Sequence, residues 1–361
     1  MNEKEKQLFK ALCEFKEKTM EKELVDFATP AVLGNLFFNR MQGIAYDVLR
    51  KNELLGKVNR EFRNSLGAAY EQNLQKNQSF RKCVEMLSKI LSSCNCNVAM
   101  LKGAYLCEHY PRGYRTSNDV DLLVLPDDVT NVGNLLTKAG FIQGNIQNGE
   151  FIPATRREII ESKMMRGETV PYINKVDLPF MKFFEVDINF SLDYKNGNID
   201  IVSDMLSNVC IKKEGELSIP TLSDADFFIH LCAHLYKEAT TLPWIEMHRD
   251  MTLYKYADIY MLLSELSVKQ LKGIFERAKA FDMEKICAYA ILETIGLFDV
   301  DNIFVYDIAK AALSDDIDFC LKVVSPKDKK NFTYKTADVN ERFFMESRAK
   351  DLKEVEINEK T

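Results

Sequence analysis

The sequence predicts an α+β fold: a region of alternating strands and helices, with an N-terminal helical region before it and a C-terminal helical domain after it. Three observations carry this. Residues 1 to about 93 place apolar side chains at helical spacing almost throughout. Between residues 97 and 190, short apolar runs of strand character alternate with helical stretches. From Ser223 onward the helical period returns. The implied organisation is 1–93 as the N-terminal helical region, 94–212 as an α/β domain, 213–335 as the C-terminal helical domain and 336–361 as a polar tail with little to bury.

In the first region, Phe62, Leu66, Tyr70 and Leu74 follow at i+4. Phe80, Cys83, Val84, Leu87, Ile90 and Leu91 continue the stripe at spacings of three and four. Asn97–Leu101 is then a short apolar strand that ends at Lys102-Gly103. Asp121–Leu125 is a second strand, closed by Pro126. Asp127–Ala139 is helical, with Val129, Val132, Leu135 and Leu136 on one side and Gly140 as its stop. Residues 141–182, rich in Asn, Gly, Arg and Lys, read as hairpins or a flap. Phe183–Phe190 alternates, with Phe184, Val186, Ile188 and Phe190 on one face and Glu185, Asp187 and Asn189 on the other. Ser223 or Asp224 caps the next helix, and two further helices fill 254–297.

Composition narrows the function classes. The chain has 361 residues, 48 Lys+Arg against 54 Asp+Glu, and a net charge of −6, which disfavours a nucleic-acid partner. No apolar run is long enough for a membrane span, and the N-terminus lacks a signal-peptide block, so a cytoplasmic location is expected. The nine cysteines are scattered, as in a reduced protein; the close pair Cys94 and Cys96 has no second pair at zinc-site spacing. There is no Walker loop, dinucleotide fingerprint or nucleophile elbow.

Chemistry concentrates between Ala99 and Leu125. Asp119 and Asp121 stand one residue apart, so on a strand both carboxylates point to one side while Val120, Leu122 and Val124 point to the core. Such a pair repels itself unless a cation neutralises it, and hard oxygen ligands suit Mg²⁺ together with substrate phosphates. The bland alternative is a turn that begins at Asp119 with Asp121 merely solvated. The neighbours favour the clamp. Gly103 after Lys102 lets the backbone approach a phosphate at a helix start. Arg115 and Ser117 supply a charged fork and a hydroxyl for phosphate oxygens. Asp187 on the later strand completes a three-carboxylate cluster, with Glu185 on the same face as its competitor.

These residues carry a resemblance. Lys102-Gly103, a helix with Tyr110, Arg115, and Asp119-Val120-Asp121-Leu122-Leu123-Val124 resemble the uncharacterised nucleotidyltransferase family of the polymerase-β-like superfamily. The similarity continues through Gly140-Phe141, Phe184–Asn189, the helical region from Ser223 with its histidines, and Asp258. It implies a polymerase-β-like mixed sheet with flanking helices. It further implies two Mg²⁺ or Mn²⁺ ions held by Asp119, Asp121 and Asp187, with an NTP as substrate and Lys102, Gly103, Arg115 and Ser117 at its phosphates. The implied reaction moves a nucleoside monophosphate to a hydroxyl- or phosphate-bearing acceptor: a small molecule, peptide or protein. His230, His234 and Asp258 are the acceptor-side candidates. Two positions depart from the pattern: Ala104 stands where the wider superfamily has Ser, and Asn189 where family members often carry His. The alternative reading is a catalytically inactive nucleotide-binding or protein-interaction protein on the same fold.

Other candidates have plainer readings. His230 and His234 share a helix face, but no Glu follows His230 as a metalloprotease requires, so they are either core histidines or line a site. Lys255, Tyr256 and Asp258 read by default as solvated helix surface. Trp244 anchors a loop or stacks on a ring. Arg156, Arg157, Lys163 and Arg166, interleaved with Glu158 and Glu161, read as a solvated amphipathic helix or as a flap over phosphates.

Overall fold

The computed structural model describes residues 1–361 except 17–18, 193–198, 216, 299, 301 and 356–361. In chain order the helices and strands are α1 (Glu3–Cys13), α2 (Pro30–Phe38), α3 (Gln42–Lys51), α4 (Arg60–Leu91), β1 (Ala99–Met100), α5 (Gly103–His109), β2 (Asp119–Leu123), α6 (Val129–Lys138), β3 (Ile142–Gln147), β4 (Glu150–Pro153), α7 (Arg156–Arg166), β5 (Tyr172–Leu178), β6 (Met181–Asn189), α8 (Ile199–Ser207), β7 (Cys210–Glu214), β8 (Leu217–Thr221), α9 (Asp224–Ala239), α10 (Leu242–Glu246), α11 (Leu253–Leu263), α12 (Val268–Ala280), α13 (Glu284–Phe298), α14 (Ile303–Ala311), β9 (Lys322–Ser325), β10 (Lys330–Tyr334), α15 (Val339–Phe343) and β11 (Leu352–Val355). The chain divides into two units: residues 1–66 with 228–361, and residues 67–227. The expected boundaries at 93/94 and 212/213 both fall inside the second of these.

The unit formed by residues 67–227 carries the expected mixed sheet. Six strands run in the order β1-β2-β6-β5-β3-β4. β2 and β6 are parallel, and the remaining pairs are antiparallel. The core is built as the periodicities require. Val120 and Leu122 from β2, and Phe184, Val186 and Ile188 from β6, are fully buried. They join Phe80, Cys83, Val84, Leu87 and Leu91 of the α4 stripe in one apolar cluster. Phe184 meets Phe80 and Phe141 edge to face, with ring centroids 6.4 and 5.9 Å apart.

The stretch 141–182 has regular structure. Asn148 and Gly149, both at positive φ, close the β3–β4 hairpin. A capping box of Thr155 and Glu158 starts α7. Arg156 and Arg157 are exposed on α7, and Arg157 pairs with Glu161 at 2.6 Å. That is the solvated form for the start of this basic segment; the side chain of Arg166 lies outside the described residues.

In the other unit, 254–297 contains three helices rather than the expected two. A capping box of Ser267 and Gln270 begins α12, and Asp282 at φ +57° ends it. The expected polar tail is also different. Residues after 336 carry α15 and β11, and β11 joins β10 and β9 in a three-stranded antiparallel sheet. Two arginines of this segment are buried because each finds a carboxylate. Arg342 Nη2 lies 2.8 Å from both Glu293 oxygens. Arg348 grips Asp250 through Nε at 2.6 Å and Nη2 at 2.7 Å. Among the described residues, no helix is long and apolar enough to cross a membrane.

Truncating one partner strands a buried charge, which costs about 3–5 kcal/mol. Arg348→Ala is therefore expected to lower the melting temperature by several degrees in a thermal unfolding scan. An unchanged melting temperature contradicts the structural role given to this pair.

Candidate active site

The site is built on two neighbouring strands. In their parallel register Asp119 lies beside Glu185, and Asp121 beside Asp187. Alternation along β2 and β6 buries the aliphatic residues and leaves Asp119, Asp121, Glu185, Asp187 and Asn189 half-buried on the opposite face. The register thus brings the three expected aspartates to one face, with Glu185 among them.

A bend stands over this face. Lys102 has φ +45° and ψ −114°, a backbone region unusual for a residue with a side chain. Its ammonium lies 3.0 Å from Asp121 Oδ1. At Gly103 a Cβ atom would come within 2.8 Å of both Cβ and Oγ of Ser117, so only glycine allows this approach. Ser117 in turn donates its hydroxyl to Asp119 Oδ1 at 2.7 Å. The helix that follows Lys102 has only seven residues, so any anion affinity of this bend rests on Lys102, Arg115 and Ser117 rather than on a long helix.

The loop that carries Arg115 and Ser117 is fixed from α4. Asn73 Nδ2 donates to the Gly113 carbonyl at 2.9 Å. Asn77 accepts from the Gly113 N–H at 3.0 Å and donates to the Arg115 carbonyl at 2.7 Å. Sequence reasoning missed both asparagines. Their signal was two amides, four residues apart, on a helix whose neighbouring turns bury apolar side chains.

A further carboxylate was also missed. Glu168 pairs with Asn189 at the end of β6, where Thr169 N–H donates to Ile188 O and Phe190 N–H to Gly167 O, each at 2.9 Å. Its charge reaches Asp187. No local motif marks Glu168, since only strand pairing brings it here.

The electrostatics follow from burial and crowding. Burial, then the charges of Asp121, Asp119 and Glu168, push the Asp187 carboxyl well above the usual carboxylate range, against the pull of Lys102. Burial and Asp119 push Glu185 up. At Asp119 burial acts upward, but the Ser117 hydrogen bond with Lys102 and Arg115 outweighs it and holds the carboxyl low. Lys102 and Arg115 are the positive charges that act on Asp119, and Lys102 is the one that acts on Asp187.

An anionic surplus of oxygen donors on rigid strands suits a hard divalent cation. As placed, among the described residues no three His, Cys, Asp or Glu side chains are gathered into a metal shell. Asp121 Oδ1 accepts from Lys102 and from Asn189 Nδ2 at 3.3 Å, and Asp119 Oδ1 accepts from Ser117.

The acceptor-side candidates lie in the other unit. His230 and His234 are on α9, and Asp258 is on α11. Asp258 is buried rather than solvated, and His230 is buried as well. His234 Nε2 stands 3.6 Å from Glu238, which also pairs with Lys255. Lys255 is held over the ring of Trp244 at 5.7 Å and is not free surface; Tyr256 is fully buried. Trp244 sits within α10 rather than in a loop.

An Asp-x-Asp strand in a mixed sheet, paired with a second acidic strand under a Lys-Gly bend, is the arrangement that the family resemblance implied. The chain belongs to the uncharacterised nucleotidyltransferase family, whose model matches residues 30–298. Among solved structures it is similar to an antigenic nucleotidyltransferase-like protein from Paracoccidioides brasiliensis, at 17% identity over 51% of this chain and 75% of that one. The TM-score is 0.33, too low for that likeness to carry any argument. No curated protein matches the chain.

Because folded Asp187 keeps its proton to higher pH than the unfolded chain does, folding takes up a proton above about pH 4. The contribution of Asp187 to stability in EDTA should therefore fall as pH rises above that value. Asp187→Asn removes the like-charge repulsion. It is expected to raise stability in EDTA at pH 8 by about 1 kcal/mol and to flatten the pH dependence. Denaturant titrations at pH 5 and pH 8 check both; a destabilised Asn variant contradicts the crowding described here.

Proposed function

We propose that this protein is a metal-dependent nucleotidyltransferase that moves a nucleoside monophosphate from an NTP to a hydroxyl- or phosphate-bearing acceptor. The observation that supports this best is the register of β2 and β6, with Asp121 beside Asp187 and Asp119 one pleat away. In this reading Asp119, Asp121 and Asp187 hold divalent cations, Mg²⁺ or Mn²⁺. When bound, such ions neutralise the triphosphate and activate the acceptor oxygen.

The protein's own residues do the positioning. Lys102 and Arg115 bring positive charge to the phosphates. Ser117 fixes Asp119, and Gly103 lets the bend close on Ser117. The acceptor oxygen forms a bond to the α-phosphorus, the bond from that phosphorus to pyrophosphate breaks, and the acceptor hydrogen leaves as a proton. Nothing covalent is asked of the enzyme, so geometry and charge supply the acceleration. His230, His234 and Asp258 are kept for the acceptor side. The acceptor is a small molecule, peptide or protein.

Asp121→Asn is expected to leave the fold intact and reduce pyrophosphate release by about a thousandfold or more, the scale of losing a central electrostatic group. The assay incubates wild type and variant with labelled NTPs, Mg²⁺ and a host extract, and follows label transfer by mass spectrometry. Equal turnover in the variant removes the proposal. Nucleotide binding by calorimetry without any pyrophosphate release favours a non-catalytic nucleotide-binding protein on this fold.

A further inference from the structure

We propose that Lys102 is the resident counter-ion of the cation site: without nucleotide its ammonium competes with a divalent cation for Asp121, and a triphosphate draws it off. The inference rests on the proposed function, because it assigns a second duty to a residue of that site. Its consequence is that metal and nucleotide enter together, each weak without the other.

The contact between Lys102 and Asp121 is sheltered. The two side chains are 19% and 15% exposed, and the ammonium lies 3.0 Å from Oδ1. Asn189 donates to the same oxygen at 3.3 Å. Ser117 covers Asp119 Oδ1 from the other side of the bend. Donors from the protein thus stand at oxygens that a cation would need.

The backbone holds the stem of Lys102 in this place. Leu101 N–H donates to the Asp121 carbonyl at 2.8 Å, which ties the residue before Lys102 to the strand that carries its partner. After it, Leu106 N–H donates to the Lys102 carbonyl at 2.9 Å. Between these anchors Lys102 sits at φ +45°, a strained conformation that persists only where its surroundings impose it. The rest of the side chain is a flexible stem with a point charge, so its head can swing without moving the bend. Mg²⁺ sheds water reluctantly and is a poor competitor alone. A triphosphate changes the balance, because it offers the ammonium a more negative partner and carries cations with it. Linkage then makes the coupling reciprocal.

The experiment titrates Mn²⁺ alone and reads free Mn²⁺ by electron paramagnetic resonance, with no turnover involved. Wild type is compared with Lys102→Met, Lys102→Gln, Lys102→Arg and Asp121→Asn, each first confirmed folded by thermal melting in EDTA. Met and Gln are expected to bind Mn²⁺ about tenfold more tightly than wild type, as removal of one nearby positive charge requires. Arg should match wild type. A non-hydrolysable NTP analogue should tighten Mn²⁺ binding in wild type and do so much less in Met and Gln. If neither Met nor Gln binds Mn²⁺ more tightly, while Asp121→Asn loses Mn²⁺, the competition is overturned and the carboxylate site stands. If Asp121→Asn binds Mn²⁺ as wild type does, the carboxylate reading falls, and this inference with it.

Discussion

The parallel register of β2 against β6 is the constraint on which the site depends. It sets Asp119 beside Glu185 and Asp121 beside Asp187, an arrangement that electrostatics alone would oppose. Burial decides the matter. Val120, Leu122, Val186 and Ile188 are fully enclosed, and each contributes about 1.5–3 kcal/mol. A like-charge pair about 5 Å apart costs roughly 3 kcal/mol at an effective dielectric of about 20. The apolar face therefore wins, and a slip of one residue, which would turn those four side chains to water, is excluded. The acidic cluster is forced by the hydrophobic pattern on the other side of the same strands.

The bend and loop around this cluster are held by parts that carry no charge of their own. Asn73 and Asn77 spend buried amides on the backbone of residues 113–115, and Gly103 leaves room for Ser117. Such groups are costly when unsatisfied, so a loop fixed by several of them has few alternatives. Precision at the aspartates is thus inherited from α4, a helix whose other buried residues serve the core.

Much of this was legible in the sequence, for a local reason. Alternation in Phe183–Phe190 and the Asp-x-Asp pattern depend on residues two apart, and the structure keeps both strands and the facing of their acids. The resemblance that this segment carries implied the mixed sheet and the family. What stayed hidden depends on distant pairing. Glu168 reaches Asp187 only through the pairing of its backbone with β6. Arg342 and Arg348 looked like solvated charge because Glu293 and Asp250, their partners, lie 49 and 98 residues away. Asp258 read as surface for the same reason, since the face an α-helix buries is set by what packs on it. The missed break at Asp282 is different, because positive φ at a non-glycine residue leaves little trace in composition.

The order of the two units along the chain has a bearing on biosynthesis. Residues 67–227 form a contiguous body, whereas the other body joins residues 1–66 to 228–361. On a ribosome the sheet-bearing body can close as soon as its last strand emerges. The opening helices can pack on one another, but Phe9 of α1 must wait for Phe343 and Phe344, which meet its ring from the far end of the chain. The part of α1 around Phe9 then stays uncovered through most of translation, and it is this early segment, rather than the sheet, that gains most from a chaperone.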